Sequence, residues 1–239
     1  MPAEADPVNP SWAGTELVVR TIAQTAVDNE RYFGDLDSVV GDGDFGYSLA
    51  RGFEIVLRTF ADYDRSDLGT FLKKIALTIT GRIGGTSGPI WGTAFLRAGA
   101  SIGNRAELEP DHVVVALRAA ISGIKQRGQS DLGDKTLLDA LIPAVDTLER
   151  ELSGGVAPQV AVAAAARTAR DAAEATTEMV ARRGRAAYTG ERSRGSVDAG
   201  AMAVAVMFEQ VSAAWSSQST ELPGVVVDQP EAVADQEAS

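Results

Sequence analysis

Three carboxylates gather around one short turn. Asp37, Asp42 and Asp44 lie in LDSVVGDGDFG, with Gly41, Gly43 and Gly46 set among them. Carboxylate oxygens are the ligands that hard divalent cations take, and magnesium commonly uses a few of them beside phosphate oxygens and water. The two-residue step from Asp42 to Asp44 lets both face one ion across a turn, and Asp37 can reach back from the preceding segment. The same residues also suit a solvated turn whose aspartates cap the following helix. A calcium-binding EF-hand loop is not expected. Counted from Asp42, its twelfth position is Phe53, and counted from Asp37 it is Ser48, where a bidentate glutamate belongs.

Three further glycine-bearing segments carry polar chemistry. GGTSGPIWG, from Gly84 to Gly92, offers backbone amides that can approach an anion, the hydroxyls of Thr86 and Ser87, and a helix start with its positive dipole end. It lacks the Gly-Lys-Ser/Thr of a Walker loop, and alone it also reads as a tight helix–helix turn. GDKT, from Gly133 to Thr136, can be a helix cap with a solvated Lys135. RRGRAAYTGERSRGSVDAGA concentrates arginines in a chain of net charge −11. Arginine meets phosphate in a bidentate fashion, and it also complements a helix C-terminus. Together the four segments supply metal carboxylates, an amide cradle and a guanidinium, the recurring parts of a phosphoryl-transfer site.

These segments need elements to hold them, and the intervening sequence is helical in pattern. Thr15 can cap a helix carrying Val18, Ile22 and Ala26. Leu49, Phe53, Val56, Leu57 and Phe60 form a second stripe, and Leu68, Leu72, Ile75 and Ile79 a third. A helix with Pro89 in its first turn follows, then Val114, Leu117, Ile121 and Ile124. Leu137, Leu138, Leu141, Val145 and Leu148 make the next, with Pro143 expected to kink it. Residues 157–183 are alanine-rich, and a last helix spans about Asp198 to Trp215. About eight helices result, with no sustained strand alternation, so the fold class is all-α, a bundle of antiparallel neighbours whose loops can converge at one end. Residues 1–12 read as a flexible arm, 13–216 as the helical domain and 217–239 as an acidic, disordered tail.

Composition narrows the function classes. The chain has 239 residues, 45% hydrophobic, and no cysteine, which excludes disulfides and cysteine-bound zinc and makes a cytoplasmic setting the expectation. A charge of −11 disfavours nucleic acid and anionic membrane surfaces as partners. No run has the length of a membrane span, and the N-terminus lacks the basic and apolar regions of a signal peptide. His112, the one histidine, reads as a surface residue at a helix start, and a Ser-His-Asp triad is not expected.

The segments LDSVVGDGDFGYSLARGF, GGTSGPIWGTAFLRAG, GDKTLLDALIPAV and ARRGRAAYTGERSRGSVDAGA resemble, in order and spacing, the L subunit family of dihydroxyacetone kinases over roughly residues 14–212. The resemblance implies an eight-helix, antiparallel up-and-down barrel with a nucleotide–magnesium site formed by loops at one end. It implies that Asp37, Asp42 and Asp44 bind two Mg2+ ions bridging the phosphates of ADP or ATP. It places Gly85, Thr86, Ser87 and Gly88 around phosphates, Thr136, Leu137 and Arg185 near the nucleotide, and Asp198 at the family's closing motif. Phe45 and Ser48 stand in the nucleotide-site pattern where histidine and asparagine are usual, and Ser196 and Ala199 where histidine and proline are common. The implied activity is phosphoryl transfer to dihydroxyacetone held by a separate K subunit. In some family members a phosphotransferase-system subunit rephosphorylates the bound nucleotide. An ATP-dependent kinase for a ketose such as erythrulose, or a nucleotide-loaded regulator, are the alternatives.

Overall fold

The computed structural model describes residues 9–221, and among them every regular element is helical. The α-helices are α1 (Pro10–Asp28), α2 (Glu30–Ser38), α3 (Phe45–Arg58), α4 (Leu68–Arg82), α5 (Ser87–Ile102), α6 (Pro110–Gly128), α7 (Leu138–Ser153), α8 (Pro158–Ala175) and α9 (Ala199–Glu221). Among the described residues no helix is long and apolar enough to cross a membrane.

The longer helices close into a ring. α1 packs on α3, each helix from α3 to α8 packs on its successor, and α9 returns to α1, while short α2 bridges α3 and α9. Neighbours run antiparallel, as where the Gly69 amide at the start of α4 donates to the Gly103 carbonyl after α5, at 3.0 Å. This is the eight-helix up-and-down barrel, with α2 as an added piece. Apolar side chains from every long helix fill it, among them Phe53, Phe71, Ile75, Ile124 and Leu138, joined by Phe33 of α2. α8 and α9 meet through small residues, Ala161, Ala165, Ala169 and Ala173 against a fully buried stretch of α9, Ala201–Met207.

Alternation sorts the connections. Residues 59–67, 103–109 and 154–157 lie at the end where α1 begins. There Asn9 Nδ2 donates to the Ala106 carbonyl at 2.9 Å, and Trp12, Phe60, Tyr63 and Phe71 form an edge-to-face aromatic cluster. Residues 29–44, 83–86, 129–137 and 176–198 lie at the other end. The four polar segments begin in them.

Several boundaries differ from the sequence expectation. α1 starts at Pro10, capped by the Asn9 side chain, so residues 10–12 are helical and Thr15 lies inside the helix, donating its hydroxyl to the Ser11 carbonyl. α8 stops at Ala175 instead of continuing to 183, because Thr176 bonds back to the Ala173 carbonyl and also accepts the Asp198 amide. α7 runs unbroken through Pro143. The boundary placed at 217 falls within α9, and most of the expected tail lies outside the described residues. His112 is a cap rather than an idle surface residue, its Nδ1 accepting the Glu109 amide at 3.0 Å.

Candidate nucleotide–metal site

The aspartate turn is built on Asp37. It stands near the end of α2, and its Oδ2 accepts the amides of Gly43 at 2.9 Å and Phe45 at 3.4 Å. Gly43 takes φ +76°, a left-handed conformation that closes the turn. Gly46 then lets α3 approach α2, since a Cβ there would lie 2.0 Å from the Glu30 carbonyl oxygen. Phe45 begins α3 with its ring 6.2 Å from that of Phe33, which fixes the turn to the core. One oxygen each from Asp37, Asp42 and Asp44 comes within 4.8 Å of the others. Burial, and secondarily the Asp37 charge, hold the Asp44 carboxyl above the usual carboxylate range.

The arginine segment crosses to this turn. The Arg185 guanidinium pairs with Asp42 and lies 3.0 Å from an Asp44 oxygen. It also overhangs the glycine loop, because a Cβ at Gly85 would lie 3.4 Å from Arg185 Nη2. Gly85 itself has φ +61°. Thr86 and Ser87 open α5, Thr86 makes no side-chain cap bond, and Pro89 in the first turn carries no amide. Gly88 is buried against Ile83, and Ser48 faces Gly84 from α3, its Oγ 3.7 Å from a Cβ built there.

The remaining segment locks the arginine loop in place. Asp139 is 2% exposed and accepts the amides of Gly133 at 2.6 Å and Thr136 at 2.7 Å, which shapes GDKT. Lys135, expected in solvent, is 2% exposed. Its Nζ donates to the carbonyls of Met179 at 3.2 Å, Ser196 at 2.7 Å and Ser193. Burial lowers its pKa, opposed by the nearby Asp198 charge. The Asp134 carbonyl accepts the Arg182 amide at 3.0 Å. Leu137 packs beside Gly200, and Asp198 caps α9 by accepting the Ala201 amide at 2.7 Å. Asp198 is half-buried, and burial raises its pKa to about 7, with Asp139 and Asp37 adding repulsion while the Ala201 amide and Lys135 oppose it. Ser196 bonds to the Ser193 carbonyl, and Ala199 is buried at the start of α9.

The candidate nucleotide- and metal-site residues therefore stand on the four connections at one mouth, or on the helix turns bordering them, whereas His112 lies at the start of α6 at the opposite end. Sequence reasoning missed Lys135 as a buried pin and Asp139 as its neighbour. Asp139 had a signal, since Thr136-Leu-Leu-Asp139 has capping-box spacing. Lys135 had none, because lysine is rarely buried.

The fold and mouth define a helical barrel with an acidic, arginine-bridged, loop-built site. The DAK2 domain family matches residues 39–213, and the chain belongs to that family, in its dihydroxyacetone kinase L subunit type. It is 36% identical over 183 residues to the ADP-binding subunit DhaL of the PEP-dependent dihydroxyacetone kinase of Escherichia coli, covering 77% of this chain and 87% of the relative. It is 35% identical over 197 residues to an L-erythrulose 1-kinase of Mycolicibacterium smegmatis, covering 80% of this chain but 34% of that protein. The crystal structure of the dihydroxyacetone kinase of C. freundii superposes with a TM-score of 0.68 at 26% identity, over 89% of this chain and 36% of that one. The same enzyme has been solved in complex with AMP-PNP and Mg2+.

Proposed function

We propose that this chain is the nucleotide-binding subunit of a dihydroxyacetone kinase-type phosphotransferase. It presents a magnesium-bound adenine nucleotide to a small ketose held by a separate K-type subunit in the cytoplasm. The observation that carries this reading is the convergence of Asp37, Asp42 and Asp44 with Arg185 and the Gly85–Gly88 loop at one mouth.

The donor set fits magnesium: three carboxylates, all hard oxygen ligands, within 4.8 Å of one another. Bound there, one or two Mg2+ ions would neutralise charge on the transferring phosphoryl group. The protein's own part is positioning. Amides at the start of α5 and the hydroxyls of Thr86 and Ser87 receive phosphate oxygens. Arg185 adds a bidentate donor. Thr136, Leu137 and Asp198 border the nucleotide, and Phe45 and Ser48 form the near rim. No nucleophile on this chain is required.

Two donors fit this arrangement. Relatives named as PEP- or PTS-dependent ADP-binding subunits favour a bound nucleotide rephosphorylated by a phosphotransferase-system protein. The erythrulose kinases of Mycolicibacterium smegmatis, 35% and 33% identical, support the second reading, direct use of ATP on a ketotetrose. Asp42→Ala tests the common core. Calorimetry should show Mg·ADP affinity falling by more than the roughly 10–100-fold that loss of a supporting contact costs. Unchanged affinity would refute the site. Assays with a K-type subunit, each donor and each ketose then identify the reaction.

A further inference from the structure

Arg185 lies between two carboxylates and the glycine loop. Its guanidinium pairs with Asp42 and Asp44, two of the three carboxylates that converge within 4.8 Å. Its Nη2 also overhangs Gly85, at 3.4 Å from where a Cβ would stand. A carboxylate that ligates a divalent cation loses most of the negative potential that attracts a guanidinium, and the two cations repel each other. Asp37 stands outside this competition, because its Oδ2 is engaged by the amides of Gly43 and Phe45.

We infer that Arg185 is an exchangeable counter-ion, which holds Asp42 and Asp44 until a divalent cation takes their oxygens and then turns to phosphate over the glycine loop. The inference rests on the nucleotide-subunit reading above. Asp44 is joined to Arg185 across a sequence separation of 141 residues, with Asp42 beside it, so the contact also fixes the arginine segment against the turn. A cation arriving alone must displace the guanidinium without giving it a new partner. Phosphate arriving alone must compete with two carboxylates for the same guanidinium. When both arrive, each binds what the other releases. Cation and nucleotide binding are thereby coupled, and the coupling is reciprocal. Arg185 has opposite signs in the two halves of the process: it opposes the cation and assists the phosphate.

The sign reversal is the test. Mn2+ binding to the full chain is read by electron paramagnetic resonance, and Mg·ADP binding by calorimetry. The side chains of Arg185, Asp42 and Asp44 are about half exposed, so the pairs are modest in strength. Arg185→Ala should bind Mn2+ alone roughly three- to tenfold more tightly. The same variant should bind Mg·ADP at least roughly tenfold more weakly. Arg185→Lys keeps the charge and should stay near the wild type for Mn2+. Arg185 is exposed, so its removal opens no cavity, and thermal melting checks that the variants fold. Equal or weaker Mn2+ binding by Arg185→Ala would overturn the exchange. A wild type that binds Mn2+ but not Mg·ADP would instead overturn the nucleotide-subunit reading itself.

Discussion

Replacing Lys135 by methionine removes a charge and its donors while keeping most of the side-chain length. Three carbonyls lose their shared partner: Met179, Ser193 and Ser196. Hydrogen bonds from a charged donor contribute about 1.5–3 kcal/mol each, which would sum to about 5–9 kcal/mol. Two effects reduce that figure. Burial penalises the ammonium, as its lowered pKa shows, and methionine carries no such penalty. Met179 and Ser196 are only partly buried, so their carbonyls can regain water, whereas Ser193 is fully buried. The Ser193 carbonyl left unsatisfied costs about 1–3 kcal/mol. The backbone adds nothing, because φ +60° at this position strains methionine as much as lysine. The net loss is about 2–4 kcal/mol, a fall in Tm of roughly 5–15 °C. It should be concentrated in residues 179–196, which carry Arg185, so Mg·ADP affinity should fall too. Thermal melting, hydrogen exchange and calorimetry on the one variant read all three quantities. A loss below about 1 kcal/mol with unchanged exchange in 179–196 would refute the idea that Lys135 holds the arginine loop.

Gly46→Ala should destabilise by about 3 kcal/mol or more in denaturant melts, since the added methyl would lie 2.0 Å from the Glu30 oxygen and 2.5 Å from the Gly34 nitrogen, both backbone atoms. Gly81→Ala, at a helical position with nothing within 4 Å, is the control and should be neutral or stabilising by up to about 1 kcal/mol. Asp198→Asn keeps an acceptor for the Ala201 amide but not the charge. A carboxyl raised to about 7 stabilises the fold fully below its ordinary pKa and loses that contribution as pH rises through 7. The metal-free variant should therefore melt higher than the wild type above about pH 8, with the gain shrinking towards about pH 4. An equal shift at both ends of that range would contradict the assignment.

Most of the long helices were legible because they carry an apolar stripe that must be buried, and α8 because of its alanine content; packing so many helices together calls for a closed bundle. α2 was not legible. In Glu30–Ser38 only Phe33 is buried, and polar residues interrupt any period. The end of α8 was hidden by alanine content that favours helix past Ala175, where bonds from Thr176 redirect the chain. The gathering of four polar loops followed from alternation alone, since every second connection of an up-and-down barrel shares an end. The contact of Arg185 with Asp42 and Asp44 did not. It joins residues that no local pattern relates, and it depends on how Lys135 and Asp139 shape the loops between them.

Phe45 shows how the rim of this mouth can change while its carboxylates stay in place. Its amide reaches Asp37 Oδ2, an interaction available to any non-proline residue at the start of α3. Its side chain does something separate, packing on Phe33 at 6.2 Å between ring centroids. In place of the histidine that the family resemblance implies, phenylalanine brings no titratable donor and sets an apolar anchor beneath the turn. The turn's geometry comes from Asp37, Gly43 and Gly46, and none of these has been altered. The identity of residue 45 therefore leaves the disposition of Asp37, Asp42 and Asp44 to the backbone that fixes it.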